Sequence, residues 1–94
     1  MDSARSDTAR ARLAALKIHL DARGVTTRLD TDSLAILDAN GGTQVDTITC
    51  KPWPVDQDAW WFFDCTGESI APAENVIEAG VAIVGNMHRS GIHV

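Results

Sequence analysis

Hydrophobic positions change period twice along the chain. Between residues 10 and 23, Leu13, Leu16 and Leu20 recur at helical spacing while Ala11, Ala14, Ala15, Ile18 and Ala22 widen the stripe, so this spacing predicts a helix. Asp7 or Thr8 is placed to cap its start, and Gly24 supplies the left-handed residue that ends it. From Val25 onward the pattern alternates instead. Residues 25–29 and 34–38 read as short strands around the turn Asp30-Thr31-Asp32-Ser33. Asn40-Gly41-Gly42 makes the next turn, and the β-branched run 44–51 a third, longer strand. Pro52 lacks a ladder donor and is expected to end that strand, with a loop over 52–58 and a fourth strand over 60–65. Helical spacing then returns through Val76, Ile77, Gly80, Val81, Val84 and Met87, with Pro72 suited to a helix's first turn. Gly80 costs about 1 kcal/mol relative to Ala inside a helix, and close approach to the sheet is its expected reason.

The order α-β-β-β-β-α predicts an α+β fold, an antiparallel sheet with two helices packed on one face. Residues 9–87 form a single domain in this reading, flanked by flexible ends at 1–8 and 88–94.

The densest signal is Trp60-Trp61-Phe62-Phe63 after the stiff segment Lys51-Pro52-Trp53-Pro54. Neighbouring side chains of a strand point to opposite faces, so this run places large rings on both sides of its sheet. If Lys51 pairs with Trp60, then Ile48, Cys50, Trp61, Phe63 and Cys65 share the face beneath the helices. Thr47, Thr49, Trp60, Phe62 and Asp64 then share the other. A one-residue slip exchanges the rings but still leaves two aromatics outside. Exposed Trp and Phe with few central charges mark contact surfaces, and a two-fold homodimer is the commonest way to bury such a patch. Each ring would remove roughly 100–200 Å² from water, several kcal/mol in all at about 25 cal/mol per Å². The bland alternative is that the rings are covered from within, by the N-terminal arm or by the 52–58 loop with Trp53 folded back.

Composition narrows the classes. At 94 residues, 45% hydrophobic and 22% charged, the chain is an ordinary single globular domain. Its net charge of -5 argues against direct nucleic-acid binding, which draws on Lys and Arg. No run approaches the roughly 20 apolar residues that cross a bilayer, and the acidic, polar start is unlike a signal peptide. The expected setting is cytoplasmic, with Cys50 and Cys65 as reduced, buried thiols.

Ile48-Thr49-Cys50-Lys51, Trp60-Trp61-Phe62-Phe63 and Gly67-Glu68-Ser69-Ile70-Ala71-Pro72 together resemble a group of small actinobacterial α+β proteins with a Trp-rich strand, a Gly-Glu-x-Ile motif and a Pro-led helix. The likeness covers most of the chain, from Leu13 to Met87. It implies the same α+β fold and a bacterial origin, and brings no established activity. Such proteins are often encoded near helix-turn-helix regulators, which implies association with a regulatory protein. Here Asp64-Cys65-Thr66 departs from the more aromatic continuation usual in the group.

The remaining chemistry is sparse. Cys50, Cys65, His19, His88 and His93 show no metal-ligand spacing, so no metal and no cofactor are expected. Asp30 with Asp32, and Asp56 with Asp58, fit turn chemistry better than an acid–base pair. Glu68 is placed to cap the helix near Pro72 or to meet a ligand. Nucleophile-elbow, P-loop and dinucleotide-binding patterns are absent, which argues against an enzyme. Two functional readings result. One is a non-enzymatic interaction module, homodimeric through its aromatic sheet face and associated with a regulatory protein. The other is a small-ligand binding domain with an aromatic pocket at Trp53, Trp60 and Phe62, oriented by Asp64 or Glu68.

Overall fold

The computed structural model describes residues 3–38, 42–89 and 91. The architecture is α+β, one helix, five antiparallel strands and a second helix. In order these are α1 (Ser3–Ala22), β1 (Thr26–Leu29), β2 (Leu34–Leu37), β3 (Gln44–Trp53), β4 (Ala59–Phe63), β5 (Ser69–Pro72) and α2 (Val76–Arg89). The strands lie side by side in chain order, as a meander. The first helix starts at Ser3, inside the segment expected to be a loose arm, and α2 runs on to Arg89. Asn40, Gly41 and most of the expected tail, including His93, lie outside the described residues.

Leu13, Leu16 and Leu20 of α1 are fully buried, with Ala9 one turn earlier. The helix ends where Gly24 takes φ +86° and the Val25 N–H returns to the Leu20 carbonyl at 3.0 Å. Lys17 and Asp21 tie it to the sheet: Lys17 Nζ lies 3.0 Å from the Asp21 carboxylate and donates to the Thr27 carbonyl and hydroxyl. Both helices cover one sheet face, where Leu34, Ile36, Ile48, Cys50, Phe62 and Ala71 meet Ala79, Ile83 and Met87 of α2.

The fifth strand occupies residues that looked like a helical lead-in. Asp64 and Glu68 close a tight hairpin, with the Asp64 N–H on the Glu68 carbonyl at 3.0 Å and Gly67 at φ +87°. Pro72 therefore ends β5, and the helix waits for Asn75, whose carbonyl accepts the Ala79 N–H. Pro52 lies within β3, opposite Trp60. The β2 ladder ends at Ile48, so beyond it one edge of β3 has no neighbour and a missing N–H there breaks no pairing.

Gly80 does approach another element closely, but that element is α1. A Cβ at position 80 would lie 2.4 Å from His19 Cδ2 and 2.6 Å from Nε2. The two helices meet at this contact, and His19 Nε2 is buried there with no hydrogen-bond partner among the described residues.

Candidate functional site

The β3–β4 hairpin decides which rings face out. Its loop makes one 3-10 turn, Pro54–Asp56, followed by Gln57 and Asp58 in left-handed conformations. The Asp58 N–H then closes on the Trp53 carbonyl at 3.0 Å. This geometry pairs Lys51 with Trp61, Pro52 with Trp60 and Cys50 with Phe62. The register is one residue away from the expected Lys51–Trp60 pairing, and a slip of one exchanges every side chain between faces. Phe62 is thus fully buried beneath the helices, and Trp60 packs against that same core. Trp61 and Phe63 stand on the open face instead, beside Trp53, Lys51 and Thr49.

On that face three rings form one cluster. Trp53 meets Trp61 edge-to-face with centroids 4.7 Å apart, and meets Phe63 at 5.9 Å and 88°. Lys51 Nζ sits 4.8 Å from the Phe63 ring centre, a cation on a π face. Phe63 is consequently only 4% exposed, while Trp53 and Trp61 remain half-buried. The Trp61 indole N–H donates to Asp56 Oδ2 at 2.8 Å, fixing the ring from the hairpin loop. Trp53 does fold back over neighbouring rings, but they are Trp61 and Phe63. The same face continues through Thr47 and Ala35 to Arg28, which is ion-paired with Asp30.

The five residues singled out by sequence do not form one site. Trp53 and Trp60 lie on opposite faces, and Phe62 is core. Asp64 and Glu68 belong to the far end of β4, about 16 Å along the strand from its Ala59 end.

Asp64 serves its own turn. Burial alone would raise its pKa, but hydrogen bonds from the Thr66 hydroxyl and from the backbone of Glu68, Thr66 and Gly67 outweigh this and hold the carboxyl below its ordinary range. Glu68 is exposed and caps no helix. Both line a cleft of about 420 Å³ together with Asp46, Cys65, Asn86 and Arg89. Asp46, which sequence reasoning passed over, accepts the backbone N–H of Thr47 and of Cys65, tying the turn to β3.

The two thiols have different surroundings. Cys50 is buried, and desolvation pushes its thiol up to about 11 against a smaller opposing pull from Arg12. Cys65 is exposed, contrary to expectation, because β4 ends at Phe63 and leaves it in the turn. Its hydrogen bond to Asp46 and that carboxylate's charge raise its pKa as well. Neither thiol is set up as a thiolate nucleophile at neutral pH. Among the described residues no group of three or more His, Cys, Asp or Glu could hold a metal ion, and no helix is long and apolar enough to cross a membrane.

A second hollow, about 150 Å³, opens on the helix side of the sheet between Trp60, Arg12 and Glu74, with Asp56 at its rim. Comparison with family models, with curated proteins and with solved structures finds no match to this chain.

Proposed function

We propose that the protein is a non-enzymatic interaction module whose open sheet face docks a second copy of itself. The observation that carries this reading is the Trp53–Trp61–Phe63 cluster, which leaves two half-exposed indoles on the sheet face that neither helix covers. A monomer gains little from such a surface, whereas a docked partner buries it.

Size and charge favour a second copy as the occupant. Five strands at about 4.8 Å spacing and of four to ten residues give a face of roughly 500 Å², so two copies would bury on the order of 1,000 Å², the lower limit for a specific interface. The chain carries a net charge of -5, which should oppose self-association. On this face, however, Asp30 is paired with Arg28, Asp56 accepts the Trp61 N–H, and Lys51 adds a cation beside the rings. The excess acid therefore lies elsewhere, and two such faces meet without strong repulsion. A regulatory protein on the same surface is the competing occupant, and the test separates the two.

That test is a concentration series followed by backbone and indole NMR. Self-docking moves the signals of Thr47, Thr49, Lys51 and the Trp53 and Trp61 indoles with protein concentration, and leaves Ala15, Ile18 and Ile77 on the helical layer in place. Concentration-independent spectra would exclude the second copy and leave a heterologous partner.

A further inference from the structure

We propose that the hollow beside Trp60 is a binding site for a small zwitterion of the α-amino-acid type. Its Trp60 wall lies on the opposite side of the sheet from the docking rings, and Asp56, bonded to Trp61, is the residue the two share. Three elements meet there: α1 through Arg12, β4 and β5 through Trp60 and Pro72, and the lead-in to α2 through Glu74.

Opposite charges line this hollow without meeting. Arg12 makes no hydrogen bond or ion pair among the described residues, and neither does the Glu74 side chain, so the two stand more than 4.0 Å apart across the opening. Asp56 uses Oδ2 for the Trp61 indole, and its other oxygen has no partner among the described residues. An Arg guanidinium offers paired N–H donors matched to a carboxylate. Glu74 and Asp56 offer acceptors to an ammonium group. A ligand carrying both charged groups on one carbon would satisfy both poles at once, which a simple anion or a simple cation would not.

The wall sets the rest of the ligand. Trp60 is half-buried against the core and gives the hollow a rigid apolar wall, suited to a short aliphatic side chain. The volume of about 150 Å³ corresponds to roughly five water molecules at about 30 Å³ each, the room for a ligand of roughly five to eight non-hydrogen atoms. Glycine, alanine, serine and valine fall in this range, and large aromatic amino acids do not.

The test is an NMR titration of the Trp60 indole and of the Ala59 and Ala73 amides with those four amino acids, with acetate and methylamine as single-charge controls. Saturable shifts with an amino acid, at least about tenfold tighter than with either control, are expected. Arg12→Gln and Glu74→Gln alter exposed side chains, so their folds can be verified from the spectra, and each should weaken binding about tenfold or more. No saturation with any of the four up to about 10 mM, equal affinity for acetate, or undiminished binding by Arg12→Gln would each overturn the proposal. None of these results bears on self-association, because Trp53 and Trp61 lie on the other face.

Discussion

Gly80→Ala should destabilise the protein even though it improves a helix. Alanine in place of a helical glycine ordinarily gains about 1 kcal/mol. Here the added Cβ would sit 2.4 Å from His19 Cδ2, so either the ring must leave the α1–α2 crossing or the helices must part. Overpacking of this kind costs about 1–3 kcal/mol, which leaves a net loss of up to about 2 kcal/mol. His19→Ala removes the obstacle. It sacrifices some packing but also removes a buried Nε2 that has no partner among the described residues, so its own effect should be small. In that background Gly80→Ala should recover its full gain of about 1 kcal/mol, giving a coupling of about 1–3 kcal/mol between the two positions. Urea unfolding of the four proteins, followed by far-UV circular dichroism with m-values compared, measures it. If Gly80→Ala stabilises the wild-type background by about 1 kcal/mol and the coupling is below about 0.5 kcal/mol, the imidazole does not occupy the crossing and the reasoning fails.

Other expectations follow from the register and from the titrating groups. Phe62→Ala should cost about 3–5 kcal/mol, because that ring is fully buried, whereas Trp61→Ala should cost less than about 2 kcal/mol; chemical denaturation that reversed this order would restore the other register. Cys50 is held neutral in the fold, with its pKa raised from 9.0 to about 11, so the stability it confers is complete below pH 9 and is lost as pH rises toward 11. That loss should amount to at most about 2–3 kcal/mol, and Cys50→Ala should flatten the alkaline limb of a stability–pH curve. Asp64 behaves oppositely: its depressed pKa gives stability that is present above 3.8 and falls away as pH drops through the lower native value. Asp64→Asn should reduce the acid-limb slope measured by thermal unfolding between about pH 4 and pH 2, and an unchanged slope would mean its turn bonds carry no charge preference.

How much of this was legible in the sequence differs from element to element. The Leu13, Leu16, Leu20 stripe and Gly24 announced α1 because a helical core face is a local pattern with a local stop. The α+β class and the strands up to β4 followed from alternation and turn residues. Residues 69–72 misled because Pro72 fits a helix start as well as a strand end; the turn that makes them a strand depends on Asp64 hydrogen bonds that no period reveals. The aromatic run was recognised as two-faced, but its parity rested on the five residues 54–58. Two of those, Gln57 and Asp58, adopt left-handed conformations that neither residue announces. One position of slip there moved Trp60 and Phe62 inward and Trp61 and Phe63 outward. The Trp60 hollow was illegible for a different reason: it is assembled from α1, β4 and the approach to α2, which only the fold brings together.

Sedimentation equilibrium on the wild type and on Thr49→Lys tests the central claim most directly. Thr49 lies opposite Phe63 in the longest strand, on the open face, and a lysine there adds to the charge of Lys51 without entering the core. The wild type should shift from its 10.1 kDa monomer toward a dimer of twice that mass as its concentration rises to about 500 µM, as befits a small interface. The Thr49→Lys protein should remain at 10.1 kDa with its unfolding midpoint essentially unchanged. A wild type that stays strictly monomeric over this range, or a variant that dimerises equally well, would contradict docking through the aromatic sheet face.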